Sequence, residues 1–381
     1  MLLAAPFARV ADSKNPLRMT HSQQSVHIWL RDETKPFERR TGLTPNHAKK
    51  LIEAGFQVTI ESSSVRCFSD ADYIATGAAM KPAGAWVNAP RECIILGIKE
   101  LPEGDSPLVH RHIFFAHAYK GQRGWESTIR RFKSGGGTLF DLEFLVDDQG
   151  RRVAAFGRWA GFSGAALAID IWAHQRLHGA APFPALRAVK DEAELLAGLR
   201  ARLLAALKLT AHPRAIIIGA GGRCGAGATD LFRKLGFPPA NLSLWDLAET
   251  AKGGPFAEIL AHDVFVNCVL VQGRMKPFLT REILHQPRKL QVISDVSCDP
   301  TSPHNPIPIY DRITTFADPV IRLESEPLLD LTAIDHLPSL LPRESSEDCG
   351  EQLLPHLLTL GSRSPVWLRA LDLYKTFEAK I

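Results

Sequence analysis

A chain of 381 residues is too long for one average hydrophobic core and is expected to divide into two domains with a cleft between them. Its 45 basic and 41 acidic side chains leave a formal charge of +4 with no concentrated basic tract, which argues against nucleic acid as a partner. The 14 histidines and 6 cysteines show no Cys-x-x-Cys spacing, so neither a metal site nor a secreted disulfide framework is expected, and a reduced, cytoplasmic protein is.

Residues 1–25 open with the weakly apolar Met1-Leu-Leu-Ala-Ala and pass through Arg9, Asp12, Lys14 and Arg18 into Ser/Gln-rich sequence. They lack the apolar centre of a signal peptide and read as a flexible extension. Val26–Leu30 has strand character. Thr44-Pro45 then opens a helix that stops at Gly55, with Thr as N-cap, Pro at the first helical position and Gly as terminator. Further strands are expected at Gln57–Glu61, Ile94–Ile98, Ile113–Ala116 and Thr138–Phe144, with a helix over Gly121–Lys133. Strands alternating with helices predict a mainly parallel sheet.

From Val153 to Leu177 the chain turns rich in Ala, Gly and aromatics, with Gly157, Gly161 and Gly164 spaced along one helical face. Small residues there let a second element approach closely, so a long helix crossing between the lobes is expected. Its apolar centre, Trp159 to Ile169, is about half of the ~20 residues a membrane span needs. A turn at Gly179–Pro184 and a helix at Asp191–Lys208 lead into a second strand series at Ala215–Gly219, Asn241–Trp245, Val264–Leu270 and Gln291–Val296. Helices over Glu344–Leu360 and Pro365–Lys380 close the chain and are expected to pack back on the first lobe. The expected division is therefore 1–25 as extension, 26–155 with 345–381 as a substrate lobe, and 156–344 as a nucleotide lobe.

The second series begins Ala215-Ile-Ile-Ile-Gly219-Ala-Gly221-Gly222-Arg223-Cys224-Gly225, four β-formers running into a glycine cluster and then a helix. That turn lets backbone approach a pyrophosphate at a helix N-terminus. The following strand ends in Asp246, placed to accept hydrogen bonds from a ribose 2′-hydroxyl and to repel a 2′-phosphate; NAD is the expected cofactor. In the first lobe, Arg31-Asp-Glu-Thr-Lys35-Pro-Phe-Glu38-Arg39-Arg40 forms a dense charged loop after a strand, suited to an acidic substrate, although a solvated loop has the same composition. Lys99 and His117 each follow a short apolar strand. In an open α/β sheet such positions share one crevice, where an amine and an imidazole form an acid/base pair, and a solvated lysine and a core histidine are the ordinary alternatives. Cys224 and Cys268 stand near strand ends of the nucleotide lobe, where proximity would permit a redox-sensitive bridge between otherwise free thiols.

Several ordered blocks carry a resemblance: Leu30-Arg-Asp-Glu-Thr-Lys-Pro36, Gly97-Ile-Lys99-Glu100, Phe115-Ala-His117-Ala-Tyr-Lys120, Gly137-Thr-Leu-Phe-Asp-Leu-Glu-Phe144, Asp148-Gln-Gly-Arg-Arg-Val, Gly222-Arg-Cys-Gly225, His304-Asn-Pro-Ile-Pro-Ile-Tyr310 and Ile334-Asp-His-Leu-Pro. Together they resemble the NAD-dependent, L-lysine-forming saccharopine dehydrogenases of the α-aminoadipate route. Arg40-Thr-Gly-Leu-Thr-Pro45, Lys99 and His117 extend a weaker likeness to alanine dehydrogenase and the transhydrogenase NAD domain. The resemblance implies two Rossmann-like lobes and the reaction of saccharopine with NAD⁺ and water to give L-lysine, 2-oxoglutarate and NADH. It makes Lys99 and His117 the catalytic pair, Lys99 for the amine proton and His117 for water addition and collapse. Arg31, Arg40, Gln122, Phe156 and Ser297-Cys298-Asp299 would then line the substrate site, with Glu143 holding neighbouring charges. Arg151, Gly219, Gly222, Arg223, Asp246, Thr250, Leu270, Val296 and Ile334-Asp335-His336-Leu337 would contact NAD. Leu270 stands where an aromatic is usual, and Cys298 is a local substitution beside the substrate. The rivals are an alanine-type or opine dehydrogenase and a module that binds NAD without turnover; no membrane is expected as partner, and a monomer is expected over an oligomer.

Overall fold

A computed structural model describes residues 25–120, 124–269, 271, 273 and 275–381. The expected N-terminal extension up to residue 24, Gln122 and Leu270 lie outside the described residues. The first half runs β1 (His27–Leu30), α1 (Pro45–Glu53), β2 (Gln57–Glu61), α2 (Asp70–Ile74), β3 (Ala79–Lys81), β4 (Ile94–Leu96), β5 (Arg111–Phe114), α3 (Trp125–Gly135) and β6 (Thr138–Asp141). Thr44 caps α1 as expected, its hydroxyl accepting from the amide of His47 with Pro45 at the first position. The strands form one parallel sheet in the order β3-β2-β1-β4-β5-β6. That order reverses direction between β1 and β4, and a crevice opens there at the carboxyl ends.

The second half runs α4 (Gly157–His178), α5 (Glu192–Leu207), β7 (Ala215–Ile218), α6 (Arg223–Lys234), β8 (Leu242–Trp245), α7 (Leu247–Thr250), α8 (Ala257–Leu260), β9 (Val264–Asn267), α9 (Arg281–Leu284), β10 (Val292–Asp295), β11 (Ile321–Ser325), β12 (Leu328–Thr332), α10 (Pro342–Leu357) and α11 (Pro365–Glu378). Its sheet, β11-β12-β10-β9-β7-β8, is parallel except for the β11–β12 hairpin. The uninterrupted apolar run of β7 has a simple cause. Ala215 and Ile217 pack under α4, α5 and α6, while Ile216 and Ile218 pack on the opposite face with Phe256, Ile259 and Phe265. The chain is thus α/β with two mainly parallel sheets, and α10 and α11 return to the first core through Cys349, Leu353, Leu357 and Trp367.

The long helix begins later than its composition suggests: Val153 donates to the carbonyl of Leu145, and α4 starts only at Gly157. Its glycines do what their spacing implies. A Cβ on Gly161 would sit 1.8 Å from the Cys224 carbonyl oxygen, and one on Gly227 1.8 Å from that of Arg158, so α4 and α6 meet backbone to backbone. The β11–β12 hairpin and the short edge strand β3 were not expected; the hairpin turns on Glu326-Pro327, which lacks the Asn-Gly or Gly-x signature of a two-residue loop. No helix among the described residues is long and apolar enough to cross a membrane.

Candidate active site

Strands β4, β5 and β6 are neighbours, so the residues just past their carboxyl ends stand in a row: Lys99 after β4, His117 after β5 and Glu143 after β6. Lys99, His117 and Glu143 line one narrow pocket of about 190 Å³ with Arg40, Arg152, Phe156 and, from the second half of the chain, Asp335. Glu143 and Arg152 also line a wider cleft of about 720 Å³ with Lys120, Asp299, Ser302 and His304. His117 faces a further cavity of about 660 Å³ beside Glu100 and the start of α3.

Lys99 is 8 % exposed. Its backbone is tied down by Glu33, whose carboxylate accepts from the amides of Ile98 and Lys99 at 2.6 and 3.0 Å. Arg31 pairs with Glu33 and donates to the Lys99 carbonyl, and it packs so tightly that Gly97 can carry no Cβ. Arg31 is therefore spent inside the fold, while Arg40 reaches the pocket. Arg40 is held by Glu38 at 2.6 Å and lies over the Phe156 ring at 4.2 Å. Burial lowers the Lys99 pKa from the ordinary amine value, and the charge of Arg40 adds to that effect. Asp335 works against both, 3.7 Å from the Lys99 ammonium and 2.6 Å from that of Lys35. Burial pushes the Asp335 carboxyl up, but its bond to His336 and the charges of Lys99 and Lys35 hold it far below the usual range.

His117 occupies left-handed backbone, with φ of 52°. Its side chain is 30 % exposed, with Glu100 3.9 Å from Nε2. Its pKa is lowered by burial first and by the Lys120 charge second. Glu143 gathers the remaining charges, bridging Lys120 at 2.9 Å and Arg152 at 2.7 Å.

The nucleotide side is built on the glycine turn after β7. Gly219 has φ of 89°, and a Cβ on Gly225 would lie 2.1 Å from the Gly219 oxygen. Gly222 precedes α6 with no side chain capping the helix, so its first amides remain free for an anion. Asp246 accepts from the Gly221 amide at 2.6 Å and from Leu247 at 2.9 Å. Glycine at 221 makes room for that carboxylate: a Cβ on Gly221 would sit 2.3 Å from it. These features fit a dinucleotide.

Other expected contacts are placed as follows. Thr250 donates to the Asp246 carbonyl, and Arg223 reaches the Arg152 carbonyl at 2.8 Å. Val296 packs where a Cβ on Gly164 would fall, and Ser297 and Cys298 form the turn after β10, with Cys298 at φ of 50°. Ile334, His336 and Leu337 are buried beside Asp335. Arg151 lies on the surface, paired with Asp147 at 3.0 Å. Cys224 and Cys268 are free thiols. Lys35, Glu33 and Lys120 surround the pocket as well, and Arg152, of the Arg151-Arg152 pair after the last strand, lines it. Lys35 lies in the charged loop and Arg152 directly follows Arg151; only tertiary packing distinguishes them from surface charges.

The topology and the glycine turn define a two-sheet α/β protein built to hold a dinucleotide. The family profile described as "Alanine dehydrogenase/PNT, N-terminal domain" matches residues 29–163. A solved L-alanine dehydrogenase superposes over 92 % of this chain and 94 % of its own, with a TM-score of 0.65 at 18 % identity, a likeness of fold. "Saccharopine dehydrogenase [NAD(+), L-lysine-forming]" of Schizosaccharomyces pombe is 51 % identical over 364 residues, covering 93 % of this chain and 99 % of that protein. The protein of the same description from Candida albicans is 47 % identical over 94 % of this chain and 99 % of its own. The chain belongs to the family of NAD-dependent, L-lysine-forming saccharopine dehydrogenases.

Proposed function

We propose that the chain oxidises saccharopine with NAD⁺ and water, giving L-lysine, 2-oxoglutarate and NADH, and that Lys99 and His117 divide the proton work. One observation carries the division: the Lys99 side chain is buried against a small pocket of about 190 Å³, whereas the more exposed His117 stands between that pocket and a larger polar cavity of about 660 Å³. NAD, when bound, accepts the hydride from the glutaryl α-carbon. The glycine turn and the amides at the start of α6 would hold its pyrophosphate, and Asp246 its adenosine ribose, where a 2′-phosphate would meet a carboxylate.

Saccharopine is a secondary amine with three carboxylates. Arg40 and Arg152 in the pocket and Lys120 in the adjoining cleft supply cations for those carboxylates, with Glu143 keeping Lys120 and Arg152 in place. Lys99, favoured as a neutral amine by burial, takes the proton from the secondary amine, and loss of hydride then leaves an imine carbon–nitrogen double bond. His117 takes a proton from the water that adds to this carbon. It gives that proton to the nitrogen, completing the carbinolamine, and then moves the hydroxyl proton to the same nitrogen as the carbon–nitrogen bond breaks, releasing the lysine amine and the keto acid. Every residue in this scheme comes from one chain, so it needs no second subunit. The six cysteines are free thiols, which supports a reduced, cytoplasmic setting.

The test follows NADH formation from saccharopine as pH is varied. Two ionisations should control the acidic limb, one of them absent from a His117→Gln variant. No NADH from saccharopine, or an equal rate from alanine, would overturn the reading.

A further inference from the structure

Three backbone amides converge on one buried carboxylate beneath His117. Asp141, the last residue of β6, is 2 % exposed. One oxygen accepts from the amide of Ala116 at 3.1 Å and from that of Glu143 at 3.0 Å; the other accepts from Ala118 at 3.0 Å. Ala116 and Ala118 flank His117 on either side. A left-handed residue carrying a Cβ is strained and persists only where its surroundings over-determine it. Here the over-determination is visible: the backbone amide of the residue on each side of His117 is pinned to the same carboxylate. Burial pushes the Asp141 carboxyl up to about 6 even with the three amides pulling it down, so they offset part of the cost of keeping it ionised at neutral pH. Glu33 serves Lys99 in a similar way but also balances the charge of Arg31, whereas the hydrogen-bond partners of Asp141 are all backbone amides.

We propose that Asp141 is a positioning residue for the reaction: its carboxylate holds the left-handed turn that aims His117 and, through one shared oxygen, the turn that carries Glu143. The assignment rests on His117 as the proton-handling group of the hydration half-reaction. Asparagine at 141 retains one acceptor oxygen and turns an amide donor toward a backbone donor, so the turn loosens while the side chain's size stays the same.

A double-mutant cycle tests it. Asp141→Asn is expected to lower turnover roughly 5- to 20-fold, less than removal of His117 itself, with the KM for NAD unchanged, as a misplaced proton-transfer group does. In a His117→Gln background the same change should cost about 2-fold or less, because both act on one step. Rapid mixing should still show a burst of NADH in Asp141→Asn, since hydride transfer precedes the step that is slowed. Equal losses in both backgrounds, or loss of the burst, would overturn the Asp141 assignment alone. A silent His117→Gln would overturn the catalytic reading itself. If Asp141→Asn does not fold, residue-resolved hydrogen exchange on the NAD-bound wild-type protein decides: slow exchange at Ala116 and Ala118 supports the assignment, and exchange at open-loop rates overturns it.

Discussion

Lys99 and His117 end adjacent parallel strands, yet their surroundings are opposite in kind. The Lys99 side chain is 9 % exposed and its facing carboxylate, Asp335, arrives from the other half of the chain. The His117 side chain is 30 % exposed, and the charged groups that act on it, Lys120, Glu143, Glu100 and Lys99, all belong to the first half. Two groups lowered in pKa mainly by burial are thus tuned by different parts of the molecule. Lys99 depends on how the two halves meet, and His117 on the first sheet alone. The difference suits the chemistry, since burial favours Lys99 as a neutral base, whereas hydration requires water to reach the more exposed His117.

The largest effect is expected from Lys99→Met. Turnover should fall by two or more orders of magnitude with NAD affinity retained, measured by steady-state rates beside a direct binding titration. Retained turnover would remove Lys99 from the comparison and leave the amine proton to another group. His117→Gln is expected to act more mildly, lowering turnover roughly 10- to 50-fold, because water can partly replace an imidazole on the open side of the site. Its pH profile should lose one ionisation on the acidic side. Both groups have lowered pKa values and both are proposed to accept protons, so activity should rise as pH climbs through each one and fall below them.

Much of this architecture is legible from residues alone. The pairing of Thr44 with Pro45, the isoleucine run into the Gly219 turn, and the placing of Asp246 after the next strand are local signals, and each element forms within a few residues of where those signals put it. The glycine spacing of α4 is legible as close approach, since Gly161 meets the α6 backbone and Gly164 the Val296 side chain. Lys99 and His117 are legible as strand-end residues. What local pattern does not carry is the identity of the groups that hold them. Glu33, Asp141 and Lys35 look like any acidic or basic residue in sequence, and their roles arise from partners 66, 23 and 300 positions away. Arg31 and Arg40 show the same limit from the other side. Both sit in one charged loop, but packing against Gly97 turns Arg31 inward while Arg40 lies on Phe156 in the pocket.

The smallest effect, and the sharpest on the comparison, is expected from Asp335→Asn. Its carboxylate raises the Lys99 pKa against burial, and removing it also frees Lys35, whose charge lowers that pKa. The Lys99 ionisation should therefore move to lower pH, by about one unit or less given that Asp335 is partly exposed to screening solvent. Turnover at neutral pH should change little. The His117 ionisation should stay in place, because Asp335 is not among the charges that act on it most strongly. A pH profile of kcat/KM for saccharopine reads both at once. If the two ionisations shift together, the halves of the molecule do not tune the pair separately; if only the Lys99 ionisation moves, contact between the halves sets the base for the amine and leaves the group for water alone.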